Sequence, residues 1–156
     1  MLSSSKTTYF APYDDCKAAL LAFIRTAQKS IRIADYSFNM TELVDLLILK
    51  HKDKVDVSLV LDRSQSGGSS EKDPISRLQS AGIDVAIGTS DKHRIMHLKV
   101  AIVDGQAVAF GSYNFTEVAE LESNVLRVEQ DTQVAAMFLA NWQQTHDWII
   151  QNEGVK

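Results

Sequence analysis

Apolar and polar positions along this chain follow two rhythms, one of short β-branched runs and one of helical spacing. Ile31 to Ser37, Val55 to Leu61, Ile83 to Ile87 and about Asn124 to Val128 have the length and composition of strands, and Thr7 to Ala11 is a candidate first strand. Between them, Asp14 or Asp15 is placed to cap a helix reaching about Lys29. Asn39 or Thr41 caps a second helix, with Leu43, Leu46, Leu47 and Lys50 at helical spacing. Further helices are predicted from about Glu71 to Ser80 and from Thr132 to Trp148, whereas the Ser/Gly-rich segment Gln65 to Ser70 reads as a mobile loop. Helices alternating with strands, then a β-rich segment and a closing helix, predict an α/β fold. Its mixed β-sheet is sandwiched between helices on both faces.

The most informative run is Leu98 to Val103, an aliphatic stretch that should be a buried strand with His97, Lys99, Ala101 and Val103 on one face. Asp104-Gly105 after it is a strong hairpin signal, because a type I′ turn needs positive φ at both central positions. The chain should return as Gln106 to Ser112. With Asp104-Gly105 at the centre, Val103 pairs with Gln106 and His97 lies opposite Ser112. With Gly105-Gln106 there instead, His97 faces Asn114 and Lys99 faces Ser112. Either register gathers imidazole, ammonium, hydroxyl and amide at the open end of one hairpin.

Composition limits the alternatives. The 156 residues, 45% of them hydrophobic, suit a single domain spanning 1–156. The longest apolar run, Ala18 to Ile24, is too short to cross a bilayer, no exposed amphipathic segment stands out, and no stable membrane association is expected. Met1 to Lys6 lacks the apolar core of a signal peptide. A leader already removed would place the protein in the periplasm or outside the cell; otherwise it is cytoplasmic. The single cysteine, Cys16, forbids an internal disulfide and reads as a buried structural thiol. A net charge of −4 disfavours strong non-specific binding to nucleic acid without excluding its hydrolysis.

A phosphodiester is anionic and resists attack. An enzyme that cleaves it without a metal needs a neutral nucleophile, positive charge on the non-bridging oxygens and an acid for the leaving oxygen. His97 can serve as nucleophile, Lys99 and Asn114 can hold the oxygens, and Ser112 can donate a further hydrogen bond. An imidazole bonded to phosphorus cannot also protonate the leaving group, so a second histidine is required. His51, His93 and His146 all lack a lysine two residues on.

His97-x-Lys99-x4-Asp104-x6-Gly111-Ser112-x-Asn114 resembles the signature of the phospholipase D superfamily, and Gly111 to Thr116 is similar to its small single-motif branch of bacterial endonucleases. Ile31 to Phe38, Val57 to Gln65 and Thr132 to Trp148 resemble flanking elements of that branch, so the likeness covers nearly the whole chain. The resemblance implies a phospholipase D-like fold and a phosphodiesterase that uses no cofactor and no metal. In the superfamily two copies of the motif form one site, so one copy here implies a homodimer with the active centre on its two-fold axis. Nucleic acid is then the expected substrate, with a lipid phosphodiester as the alternative and a non-catalytic dimeric binding module as another. Asp104 belongs to the signature, but its position argues for a turn role rather than contact with phosphate. Glu122 is the candidate to orient His97 through Nδ1. Relatives commonly read Glu-Asn before the apolar run where this chain has Ser123-Asn124, so either Glu122 fills the role by a local shift or Ser123 has replaced it.

Other readings attach to neighbouring residues. His93 and His97 have the spacing of a helical metal pair, but Met96 to Val103 reads as strand. Asp35 and Asp62 end predicted strands, which would suit a magnesium-dependent phosphohydrolase, although carboxylates at strand ends are more often caps or loop anchors. Tyr36, Phe38, Tyr113 and Phe115 can stack on bases or pack in the core. Trp142 and Trp148 on the last helix suit packing or a dimer contact. Arg63, His93 and Arg94 are candidates for a positive rim.

Overall fold

The computed structural model of the chain describes residues 5–154. Met1 to Ser4, the start of the stretch without signal-peptide character, lie outside them. A seven-stranded mixed sheet is ordered β1-β7-β6-β5-β2-β3-β4. Its strands are β1 (Ser5–Ala11), β2 (Ser30–Asp35), β3 (Asp56–Asp62), β4 (Asp84–Gly88), β5 (Lys99–Val103), β6 (Ala107–Gly111) and β7 (Asn124–Gln130). Only the β2–β3 and β3–β4 pairs are parallel. β3 and β5 are buried on both faces, as expected of unbroken apolar runs at the centre of a covered sheet.

The helices are α1 (Cys16–Arg25), α2 (Thr41–Lys52), the single turn α3 (Arg63–Ser66), α4 (Ser69–Ser80) and α5 (Thr132–Asn152). On one face, α1, α2 and α4 bury Leu20, Ile24, Leu43, Leu47 and Leu78 against Ile31, Ile33 and Leu59. On the other, α5 closes a smaller core with Trp142 and Ile149 on Ala34, Val60, Val100 and Ile102. Trp142 also donates from Nε1 to the Ile33 carbonyl at 2.7 Å, which fixes α5 across the sheet centre. Cys16 is fully buried, and burial foremost, then the charge of Glu120, pushes its thiol up to about 11.

Several boundaries depart from the sequence pattern for identifiable reasons. α1 takes Asp15 as its cap, with the carboxylate accepting from Ala18 N–H at 2.8 Å, but ends at Arg25 rather than Lys29. α2 is capped from a distance. Met40 is the N-cap residue and offers no side-chain bond, while Glu117 accepts from Thr41 N–H at 2.7 Å and Asn39 accepts from Glu117 N–H at 3.0 Å. The segment Gln65 to Ser70 is not a loop: it closes α3, bends at Gly67-Gly68 and opens α4. Asp62 holds this turn by accepting from Ser64 N–H at 2.8 Å, while Ser66 Oγ returns a bond to the Asp62 carbonyl at 2.7 Å.

The hairpin register falls between the two expected ones. Asp104 and Gly105 have the positive φ angles of 55° and 64° that the turn requires, and Gln106 N–H closes it on the Val103 carbonyl at 3.0 Å. Gln106 is nevertheless a third loop residue, so Val103 pairs with Ala107 and Val100 with Phe110. Lys99 therefore faces Gly111, and neither Ser112 nor Asn114 lies directly across the ladder from His97 or Lys99.

Candidate active site

The C-terminal ends of β1, β2, β3, β4 and β6 and the starts of β5 and β7 all lie along one edge of the sheet. The register runs Ala11–Asn124 at one side and Lys99–Asp35, Asp35–Leu61 and Leu61–Ile87 at the other. An open α/β sheet presents loops for chemistry at this edge. His97 precedes β5 and is exposed; Lys99, its first residue, is buried.

Tyr36 couples the two. Its ring meets the His97 imidazole edge-on with centroids 4.7 Å apart, and Lys99 Nζ lies 5.0 Å from the same ring centroid. Tyr36 is itself held by Gln65 Nε2, which donates to its hydroxyl at 3.0 Å, and by its own N–H on the Leu98 carbonyl at 2.9 Å. Lys99 Nζ donates to the His97 carbonyl at 2.9 Å, so the ammonium is folded back toward the histidine. Burial pushes Lys99 below the usual lysine range, while the carboxylates of Asp35 and Asp62 pull the other way.

Two strand-end carboxylates anchor the loops that carry the site. Asp62 accepts from Met96 N–H at 2.6 Å, fixing the backbone just before His97. Asp35 accepts from Phe115 N–H at 2.9 Å, pinning the segment after β6 across the start of β5. Asn114 immediately precedes the Phe115 held by Asp35, the residue paired with Lys99 across the β2–β5 ladder. Asp35 Oδ1 and Asn114 Oδ1 are buried without hydrogen-bond partners among the described residues. Burial raises the Asp35 carboxyl well above the usual carboxylate range, against the opposing pull of Phe115 N–H and Lys99. No cluster of three or more His, Cys, Asp or Glu side chains with metal-holding geometry occurs among the described residues. The loop-anchor reading of both aspartates is the one their bonds bear out.

Three expected site residues stand elsewhere. Asp104 is at the far end of β5, about 20 Å along the chain from His97 at strand rise. Its carboxylate accepts from Lys29 N–H at 2.7 Å, Ser30 N–H at 2.9 Å and Gln28 N–H at 3.0 Å. Burial alone would push this carboxyl up, but the backbone donors of Ser30, Lys29 and Gln28 outweigh it and hold it below its ordinary value. Asp104 is thus a clamp between the α1–β2 connection and the β5–β6 turn. Ser112 Oγ is committed to β7, donating to Asn124 Oδ1 and accepting from Val125 N–H, both at 3.0 Å. Glu122 is exposed and accepts from Asn124 Nδ2 at 3.4 Å; it makes no bond to His97, and neither does Ser123.

Gly111 is explained by packing. Its φ is 156°, and a Cβ there would lie 2.1 Å from the Val125 carbonyl oxygen, so only glycine lets β6 close on β7. Phe38, Tyr113 and Phe115 are fully buried, with the Tyr113 hydroxyl donating to Glu120 at 2.7 Å, which leaves Tyr36 as the aromatic of that set beside His97. Around the rim, Arg63 pairs with Glu153 at 2.9 Å and His93 Nδ1 lies 3.7 Å from the same carboxylate, so much of the expected positive fringe is internally balanced. Asp35 and Tyr36 reach the site from β2, far away in sequence; the visible signal for Asp35 was a lone carboxylate ending an apolar run.

Comparison with known proteins gives a consistent family. Residues 20–145 match the family model described as cardiolipin synthase, PLD-like domain. The chain is 34% identical over 138 residues to a phospholipase D of Rickettsia typhi, covering 87% of this chain and 65% of that relative. It thus spans about two thirds of the length of that curated relative. Among solved structures, the phospholipase D family member Nuc from Salmonella typhimurium superposes with a TM-score of 0.86 at 30% identity, covering 92% of this chain and 94% of Nuc. NucT from Helicobacter pylori shares the fold, with a TM-score of 0.84 at 24% identity over 92% of this chain and 96% of NucT.

Proposed function

The chain belongs to the PLD-like family of phospholipase D relatives, and on that premise we propose that it is a metal-independent phosphodiester hydrolase that acts on nucleic acid as a homodimer. The observation that carries this reading is the coupling of an exposed His97 to a buried Lys99 through Tyr36.

Neutral His97 attacks phosphorus and forms an N–P bond while the bond from phosphorus to the leaving oxygen breaks. Lys99 and Asn114 stabilise the charge on the non-bridging oxygens. The leaving oxygen takes its proton from the partner subunit's His97. Water then attacks phosphorus and gives its proton to that second imidazole while the N–P bond breaks and its electron pair returns to the first imidazole, which restores both histidines. One chain supplies one such histidine, so the donor comes from a second copy. The exposed Phe10 and Tyr13 support this arrangement, because they line a surface with Ser112, Ser123 and Asn124 along the same sheet edge as His97. An apolar patch there gives two copies a reason to meet around the site.

The name of the Rickettsia relative favours a second reading, a lipid phosphodiester turned over by the same groups. Plasmid DNA, single-stranded DNA and a phospholipid incubated with the protein in excess EDTA separate the two. DNA cleavage that survives chelation and vanishes in His97→Ala is the expected result. Selective lipid turnover transfers the chemistry to the second reading, and no turnover of any diester favours a binding module.

A further inference from the structure

A cleft of about 370 Å³ opens directly beside His97, between the segment Ser90 to Leu98 and α5. This volume lies within the ~300–1,000 Å³ typical of small-ligand clefts. Its α5 wall is built from Asn141, Gln144, Thr145 and Trp148, which recur at the i, i+3, i+4, i+7 spacing of one helical face. That face adjoins the core stripe of Ala135, Trp142 and Ile149, and of its four residues Trp148 also packs against that core. Opposite stand Ile95, Met96 and Leu98.

The lining is chemically particular. Trp148 is half-buried, with its ring edge-on to His93 at 5.6 Å between centroids. Asn141 and Gln144 are exposed, and their side-chain amides bond to no described residue. No lysine or arginine lines the cleft, and Asp91 does. Asp91 is paired with Lys92 at 3.7 Å, so the lining offers a phosphate no uncommitted cation; the phosphate belongs at His97 and Lys99, and the cleft takes a neutral part of the same substrate. Hydrocarbon against Asn141 and Gln144 would strip both amides of water and return nothing. A flat heterocycle with donor and acceptor edges satisfies the amides and stacks on indole.

We propose that this cleft is a nucleobase subsite, holding the base next to the scissile phosphate. The assignment deepens the nuclease reading above and rests on it. Sequence tolerance follows from stacking, since every base offers a π-face, and the two amides add a modest preference through the base edge.

The test is equilibrium binding to His97→Ala protein, which holds substrate without consuming it. Fluorescein-labelled single-stranded DNA of mixed sequence is compared by anisotropy with a strand of equal length built from abasic residues, at fixed salt. The base-bearing strand should bind roughly 5- to 150-fold more tightly, as expected for stacking of one base. That ratio should fall toward one when Trp148→Ala is added. Should Trp148→Ala not fold, Asn141→Ala with Gln144→Ala provides the same test on an exposed helix face, and the ratio should drop several-fold.

Equal affinity for both strands, or a ratio that neither variant alters, overturns the subsite. Vesicles of brominated phosphatidylcholine that quench wild-type tryptophan fluorescence more than that of Trp148→Ala, and displace the DNA, also overturn it, in favour of a lipid site. Cleavage by the wild-type protein in EDTA, run alongside, reports on the broader reading. DNA that is cut while the base-to-abasic ratio stays at one removes the subsite and leaves that reading standing; failure to cut any diester removes the reading itself.

Discussion

Replacing Asp104 separates a structural clamp from a catalytic group, because this residue sits in the family signature yet lies at the opposite end of β5 from His97. Its carboxylate serves three backbone donors, Gln28, Lys29 and Ser30, at 2.7 to 3.0 Å. A hydrogen bond to a charged acceptor contributes about 1.5–3 kcal/mol when buried. Here the site is partly exposed and water can replace part of each bond, so about 1 kcal/mol apiece gives roughly 3 kcal/mol. Asp104 also holds φ at 55°, a conformation that asparagine tolerates and alanine resists by about 1–2 kcal/mol. Asp104→Ala should therefore lose about 4 kcal/mol, or roughly 10 °C in Tm for a chain of this size. Asp104→Asn, which keeps one acceptor oxygen and the backbone preference, should lose about half that. The pH dependence has a fixed sign. The folded-state carboxyl lies below its ordinary value, so its contribution is present above the unfolded pKa of about 3.9 and disappears as pH falls through the folded one. The stability gap between wild type and Asp104→Asn should narrow over that acid range in urea titrations. Turnover by the folded variant, assayed well below its Tm, should stay within about twofold of wild type. An unchanged Tm with turnover down a hundredfold would refute the clamp.

Three further outcomes follow from the site. Lys99→Met keeps the apolar stem and removes the ammonium, so kcat should fall about 10²–10³-fold while the circular dichroism spectrum and Tm stay near wild type; retained turnover would remove Lys99 from the chemistry. Asp35→Asn preserves shape but removes a charge that draws the Lys99 ammonium upward, so the alkaline limb of the pH–rate profile should move to lower pH; an unmoved limb would mean that the two groups do not communicate. Glu122→Gln should change kcat by no more than about twofold, because Glu122 touches Asn124 and not His97; a loss of a hundredfold would show that the glutamate reaches the histidine in the dimer.

The order of strands and helices was legible because apolar runs and helical spacing are local properties, and the mixed sheet followed from their alternation. What escaped depended on partners distant in sequence. Asp104-Gly105 announces a turn, but the number of loop residues is settled where Gln106 N–H closes on Val103 and where Gly111 packs under the Val125 carbonyl. Both anticipated registers missed by one residue for that reason. Gln65 to Ser70 reads as a mobile loop by composition, yet Asp62 caps the turn, and Glu71 is drawn inward to accept from Ser37 Oγ at 2.6 Å and Phe38 N–H at 3.0 Å. At the proposed site, the nearness of His97 and Lys99 was readable from their alternation on one strand, whereas Asn114 was placed by registers that the hairpin does not adopt. Asp35 and Asp62 were readable as strand-end anchors but their partners Phe115 and Met96 were not, and neither was the place of Tyr36 between His97 and Lys99, because these contacts form only in the folded sheet. Ser112 and Gly111 carry signature positions for the sake of β7 packing, so a motif position does not by itself identify a group that touches substrate.

The central claim is that one scissile phosphate requires two copies of His97, one from each subunit. Mixing wild-type and His97→Ala chains under conditions that exchange subunits tests it directly, with DNA cleavage in EDTA as the readout. If both imidazoles are needed, only wild-type pairs turn over and activity follows the square of the wild-type fraction, about a quarter at an equal mixture. Activity that falls in direct proportion to that fraction, with about half remaining, would mean that each chain works alone and would contradict the account.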